Sequence, residues 1–335
     1  MGKEAFRNRL YKTLARLIGY EPTKFLFRIY DIAKFDLFGV PKYGIGSIDV
    51  TYRCNLACKH CYFNEQGYSS ELSEEAWLAR FDSWKKSGKF PFYQCSWIGG
   101  EPLLRKDLVE KGMKYFKSNM VATNGTIPLP NWPDVNFYVS VDGTEPYYKL
   151  MRGKEHIYPI IKKNADRPEL KIVVAMTVSK LNYPCIAEML REWSKTKVKG
   201  LLFQFYTPIE GQDDSELYLG WELRDRIIDQ ILHLKRTYDD FIINPEPVLR
   251  LMKSDRAPEI TRRCQYSKIS YAFGPDGKLK KPCMMGEKAD CTACGCVLPF
   301  HQYLLSSHSL LFRELLMYAK RLLSERWRAA MRMYA

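Results

Sequence analysis

Three cysteines, Cys54, Cys58 and Cys61, share one short loop, and no other feature restricts the chain so tightly. The residues before them, Ile45-Gly46-Ser47-Ile48-Asp49-Val50-Thr51-Tyr52, alternate with the period of a β-strand, so the loop leaves a strand's carboxyl end. Three thiols this close can all face one metal centre. A disulfide would leave one thiol over and want an oxidising compartment. Structural zinc wants a fourth ligand, and His60, between two of the cysteines, is badly placed to close a tetrahedron. A four-iron, four-sulfur cube on three thiolates keeps one iron free to bind a small molecule through nitrogen and oxygen.

The chain has 335 residues, 46% of them hydrophobic, enough for about two domains or for one barrel with extensions. From Tyr43 onward strand and helix patterns alternate. Further strands are expected at Tyr93–Ile98, Asn119–Thr123, Asn136–Val141, Lys171–Val178 and Leu201–Tyr206. Helices are expected from Glu74 with Ser73 as cap, and over Lys106–Lys117, Lys154–Asn164, Pro184–Lys195 and Trp221–Tyr238. Six strand-helix units imply the α/β class, with a parallel sheet and right-handed crossovers curled into a partial (β/α)6 barrel. The expected divisions are a basic amphipathic helical extension (1–42), the partial barrel (43–240), a cysteine-rich region (241–300) and an amphipathic helix (301–335).

Several short motifs fall at the ends of these strands, where the working residues of such folds gather. Gly99-Gly100-Glu101-Pro102 follows the second strand, Thr123-Asn124-Gly125 the third and Ser140-Val141-Asp142-Gly143 the fourth. With Cys-x3-Cys-x2-Cys after the first, this order resembles the radical S-adenosylmethionine (SAM) superfamily over about residues 43 to 210. The resemblance implies an enzyme in which Cys54, Cys58 and Cys61 bind a [4Fe-4S] cluster whose open iron takes the amino and carboxylate groups of SAM. It implies reductive cleavage of SAM to a 5′-deoxyadenosyl radical, with electrons from a reductant such as flavodoxin or ferredoxin. Gly99 and Gly100 would let backbone approach the methionyl amine where a Cβ would obstruct it. Glu101 either helps hold that group, orients the loop or is an exposed turn acid. Asn124, Ser140 and Asp142 match positions that hydrogen-bond the cofactor, although Asn-Gly and Asp-Gly also simply make turns. Arg152 stands where a carboxylate-binding arginine is found in some relatives, and His60 takes a usually aromatic position near the adenine. Cys95 and Cys185 lie in apolar runs and read as core.

A second set of thiols, Cys264, Cys283, Cys291, Cys294 and Cys296, follows the barrel. Five cysteines in so short a stretch suggest metal, either an auxiliary iron-sulfur cluster using four of them or zinc. The single residue Gly295 between Cys294 and Cys296 leaves open whether both reach one centre. Gly274-Pro275-Asp276-Gly277 predicts a hairpin that delivers Cys283. The tail resembles that of the adenosylhopene transferase group, within the wider set of extensions with SPASM-like cysteine arrays, and the Asn244-Pro245 stretch adds to the likeness.

No apolar run reaches the roughly 18 residues of a spanning helix, and the start carries no signal-peptide core. Ten cysteines without an export signal suggest a reducing cytoplasm. The net charge of +14 suits an anionic partner. The basic amphipathic segments at the two ends, the second bearing Trp327, suit either docking on protein or an anionic membrane surface. The expectation is a cytoplasmic enzyme, peripheral on the membrane's inner face, acting on a lipid or isoprenoid; the alternative substrate is a ribosomally made peptide. A zinc-bearing nucleic-acid-binding module would leave the ordered strand-end motifs unexplained, so no nucleic acid is expected.

Overall fold

The structure is a computed structural model describing residues 44–87, 91–211, 216–264, 266 and 270–306, together with four helical residues near the start, Leu10, Thr13, Leu14 and Leu17. The rest of the expected N-terminal helices, and the expected C-terminal helix beyond residue 306, lie outside the described residues. Two compact units are present, Met1–Lys42 and Tyr43–Ala335.

In the second unit, β1 (Gly44–Asp49), β2 (Phe92–Ile98), β3 (Ser118–Thr123), β4 (Asn136–Ser140), β5 (Lys171–Val178) and β6 (Gly200–Phe205) form a parallel sheet in chain order. The six strands fall within three residues of the expected ones, the largest difference being β1, which ends at Asp49 rather than Tyr52. Between them run α1 (Glu74–Ser87), α2 (Lys106–Met113), α3 (Glu145–Arg152), α4 (Tyr158–Ala165) and α5 (Ile186–Trp193), and α6 (Gly220–Tyr238) follows β6. Ser73 accepts from the Ala76 N–H at 3.2 Å and so caps α1 as its position suggested. The helix expected over Lys154–Asn164 appears as α4, starting four residues later, and is preceded by α3, which was not expected. Gly153, in the left-handed region at φ 73°, ends α3, and Pro146 and Pro159 suit the first turns of the two helices.

Alternate strand residues face the helices and are buried, among them Ile48, Trp97, Val121, Phe137, Val139, Ile172, Val174, Leu201 and Phe203. Phe81 of α1 packs edge-on against Trp97, and Phe92 stacks on Phe116, so the aromatic core lies between sheet and helices. The opposite face differs in chemistry. It presents Ser47, Asp49, Gln94, Ser96, Tyr138, Ser140, Thr177 and Gln204, with Met120, Ala122, Val173, Ala175 and Leu202, and from β3 to β6 these positions are only half-buried.

Both edges of the six-stranded sheet are covered. Asn244 accepts from the Phe203 N–H and donates to the Phe203 carbonyl, each at 2.8 Å, saturating the outer edge of β6. At the other edge the predicted hairpin appears as β7 (Tyr271–Phe273) and β8 (Leu279–Lys280), with β7 parallel to β1, so the sheet has eight strands rather than six. The helices α7 (Glu246–Leu251), α8 (Ala257–Arg262) and α9 (Leu298–Ser306) complete the described chain. None of the described helices is long and apolar enough to cross a membrane.

Candidate metal and cofactor centre

After β1 the chain stays extended beside the end of β2. Val50 N–H donates to the Ile98 carbonyl, Gly100 N–H to Thr51 and Glu101 N–H to Arg53, each at 2.9 Å. Glu71 accepts from Tyr52 N–H and Arg53 Nη2, while Arg105 Nη1 donates to the carbonyls of Val50 and Leu72 at 2.8 Å. The loop bearing Cys54, Cys58 and Cys61 thus leaves a segment held from three sides. Lys59 N–H ties its middle to the Met151 carbonyl at the end of α3.

The two glycines serve this clamp. A Cβ on Gly99, whose φ is 135°, would lie 2.5 Å from the Thr51 carbonyl oxygen, and one on Gly100 would lie 2.1 Å from that of Arg53. The obstruction expected against a bound cofactor is therefore met first against the protein's own backbone. Gly100→Ala should push the cysteine loop off β2, and iron bound after anaerobic reconstitution should fall several-fold at unchanged helix content; wild-type iron would count against the clamp.

Glu101 is fully buried, which rules out an exposed turn acid. Its carboxylate accepts from Leu103 N–H at 3.0 Å, Thr123 Oγ1 at 2.8 Å and Asn124 N–H at 2.7 Å, stitching the ends of β2 and β3 together. Burial pushes this carboxyl up against the three hydrogen bonds that favour its charge. Asn124 in turn donates through Nδ2 to Asn55 Oδ1 at 2.8 Å, with the same nitrogen 3.9 Å from Cys54 Sγ.

Asp142 is buried, and both of its oxygens are engaged. Oδ1 accepts from the Thr177 N–H at 2.8 Å; Oδ2 lies 2.6 Å from Arg152 and 3.0 Å from His60 Nε2. Burial raises this carboxyl, but Arg152, His60 and the Thr177 N–H outweigh it and hold the group well below the usual carboxylate range. Arg152, 6% exposed, reaches Cys58 Sγ with Nη1 at 3.8 Å. His60 Nδ1 is buried with no hydrogen-bond partner among the described residues. Ser140 stands on the inner face of β4, paired with Ala175 of β5.

The residues therefore suit a cluster. Three thiols share a loop, two of their sulfurs lie beside N–H donors, and burial pushes Cys58 up to about 11 and raises Cys54, so an ionised sulfur there wants a cationic partner. All five later cysteines, Cys294 and Cys296 among them, line one cavity with Tyr266, Pro282, Met284 and Met285. Gly295 makes this feasible: its carbonyl accepts from Phe205 N–H at 2.9 Å, its N–H donates to Thr207 Oγ1 at 2.8 Å, and a Cβ would lie 1.9 Å from the Phe205 carbonyl oxygen. No three such side chains converge on a single-ion site among the described residues. Cys95 and Cys185 are buried core thiols, as expected.

Other functional groups escaped sequence reasoning. Lys280 of β8 lies 2.6 Å from Asp49 of β1, both buried, with its ammonium 5.5 Å from the Phe63 ring and 6.0 Å from those of Tyr62 and Tyr68. Gln66 Nε2 donates to the Met285 carbonyl at 3.3 Å, bridging the first cysteine loop to the second cysteine set. Their partners are more than 200 residues away, so no local pattern marks them.

Comparison with known proteins gives the same assignment. The family model of the radical SAM superfamily matches residues 48–217, just over half of the chain. An Fe-coproporphyrin III synthase of Methanosarcina barkeri is 30% identical over 166 residues, 43% of this chain and 40% of that protein. A serine-type anaerobic sulfatase-maturating enzyme of Bacteroides thetaiotaomicron is 30% identical over 120 residues, 30% of this chain and 29% of that protein. The matched part is thus less than half the length of either relative. Among solved structures, Streptococcus suis SuiB bound to precursor peptide SuiA has the same fold, with a TM-score of 0.56 at 13% identity over 87% of this chain and 71% of SuiB.

Proposed function

The chain belongs to the radical SAM superfamily, and from that premise we propose that it is an enzyme that modifies a polypeptide by radical chemistry. Cys54, Cys58 and Cys61 would hold a [4Fe-4S] cluster, and four of Cys264, Cys283, Cys291, Cys294 and Cys296 an auxiliary one. When bound and reduced by a carrier such as flavodoxin or ferredoxin, the first cluster supplies the electron that cleaves SAM to a 5′-deoxyadenosyl radical. The chain's own residues hold and orient. Arg152 places a fixed positive charge beside Cys58, and Asp142, with both oxygens engaged inside the protein, positions Arg152 and His60 rather than meeting the cofactor itself. His60 Nδ1 is a buried polar atom left for SAM, and Asn124 and Ser140 border the same strand ends. Glu101 keeps the loop ends in register.

One observation carries the choice of substrate. The sheet's inner face from β3 to β6 is half-buried and mixed, with Tyr138, Ser140, Thr177 and Gln204 beside Met120, Ala122, Val173, Ala175 and Leu202, so it offers hydrogen-bonding groups that an amide-bearing chain can use and an isoprenoid chain cannot. SuiB, a protein of the same fold, is recorded with a precursor peptide. A lipid substrate has one observation in its favour: Leu10 and Leu17, a helical spacing of seven apart among basic residues, are 42% and 74% exposed.

The test incubates the reconstituted protein anaerobically with SAM and a reductant, once with a peptide pool and once with a lipid extract of the same cells, and compares masses. The expected result is a SAM-dependent mass change in the peptide arm alone. Adenosyl addition or chain coupling confined to the lipid arm would replace the peptide with a lipid.

A further inference from the structure

Arg224, near the start of α6, is 2% exposed. Its guanidinium carbon lies over the rings of Phe205 and Trp221, 4.8 Å from each centroid. Nη1 donates to the Cys294 carbonyl at 3.0 Å, while Nε and Nη2 are buried with no hydrogen-bond partner among the described residues. The neighbouring acid, Asp225, is engaged elsewhere, accepting from Ser254 N–H at 2.9 Å and Ser254 Oγ at 2.6 Å. Thus a buried cation faces two aromatic rings and a carbonyl but is bridged to no carboxylate among the described residues.

Such an arrangement is costly on its own. A charge taken out of water needs an opposite charge or a full set of hydrogen bonds, and aromatic faces return only part of what solvation supplied. The nearest candidate for an anion is whatever fills the cavity that Cys294 lines. An iron-sulfur cube on four thiolates is negatively charged as a whole, and its potential responds to nearby charge and to burial. A positive group beside it, screened by little water, favours the form with more negative charge.

We propose that Arg224 is the counter-charge of the auxiliary cluster and raises the potential at which that cluster accepts an electron. This rests on the reading above that the second cysteine set holds an iron-sulfur cluster. The step concerned is a one-electron reduction by an external reductant: one electron enters, the cluster's net charge falls by one, and no bond forms or breaks. Arg224 touches the cavity through the Cys294 backbone and is a positioning and tuning residue.

The experiment isolates the auxiliary centre in the full-length chain carrying Cys54→Ala, Cys58→Ala and Cys61→Ala, reconstituted without oxygen. Redox titration with dithionite, followed by electron paramagnetic resonance, compares Arg224, Arg224→Met and Arg224→Lys in that background. The expected result is a midpoint shifted to more negative potential with methionine and held near the parent value with lysine, together with faster iron release to a chelator from the methionine form. An unchanged midpoint in the methionine form, with a wild-type spectrum, overturns the inference alone. Absence of any cluster in the parent triple variant overturns the reading beneath it as well. If Arg224→Met and a second neutral form, Arg224→Gln, both fail to fold even without iron, the residue serves packing and the inference falls.

Discussion

Cys58→Ala should leave a folded chain that has lost the first cluster and releases 5′-deoxyadenosine at less than about one-hundredth of the wild-type rate, since even outer-shell changes cost 10–100-fold. Folding survives because the loop is held by backbone and by distant side chains. Lys59 N–H bonds to Met151, Glu101 N–H to Arg53, and Glu71 and Arg105 grip the segment before it. The second cysteine set lies apart in the chain, so iron should fall in part and not to zero. Iron analysis and electron paramagnetic resonance before and after reduction would separate the two centres, with product release measured by chromatography. Cys185→Ala is the matched control. That thiol is 1% exposed in the core, and its loss should lower stability modestly while leaving iron and turnover intact. Near-normal product release by Cys58→Ala would remove this loop from the chemistry.

Lys280→Met should destabilise the protein by about 3–5 kcal/mol in chemical denaturation, because it strands the Asp49 carboxylate in the sheet. The β7–β8 hairpin is short, meeting β1 over three paired residues, Gly46↔Tyr271 to Ile48↔Phe273, so the buried pair is a large part of what fixes it. Cys283 follows three residues after Lys280, and auxiliary iron should be lost along with stability. The double replacement Asp49→Leu with Lys280→Met should recover most of the loss, since no unpaired charge is left behind. A full loss in the double variant would mean that shape, not charge, holds the hairpin.

The same pair gives a pH signature with a definite sign. Burial, opposed by Lys280, raises the Asp49 carboxyl to about 6, against an ordinary value of about 3.9. Between those values the folded chain binds more protons than the unfolded one, so this group's stabilisation is complete below about pH 4 and is lost as the pH rises through about 6. The difference between wild type and Asp49→Asn in unfolding free energy across that range reads it directly; equal slopes would show that Asp49 does not titrate there.

How much of this was legible beforehand depended on sequence separation. The short β-branched apolar run in Lys171–Val178 marks β5 to the residue because strand composition is a local property, and Ser73 declares the start of α1 for the same reason. The helix expected at Lys154 missed α3, because the residues that set it, Pro146 and the left-handed Gly153, act through backbone conformation rather than apolar spacing. In the site, residue identity alone marked the cysteines, glycines and Glu101, but not their partners. Glu101 reads equally as a cofactor-holding, loop-orienting or exposed turn acid until β3 brings Thr123 and Asn124 to it, and Asp142 as a cofactor contact or a turn residue until α3 returns Arg152 and the loop returns His60.

The sequence by itself determined the family, the six parallel strands and the two sets of thiols, since each is written in spacing over short stretches of chain. Only the tertiary structure decided that the cysteine-rich tail joins the sheet through β7, that Lys280 meets Asp49, that five thiols share one cavity with Arg224 against its wall, and that the inner sheet face from β3 to β6 is half-buried and mixed in polarity. Those are long-range meetings. They depend on how burial and charge are settled across the whole fold, where the energy of a group is set by its neighbours in space rather than in sequence.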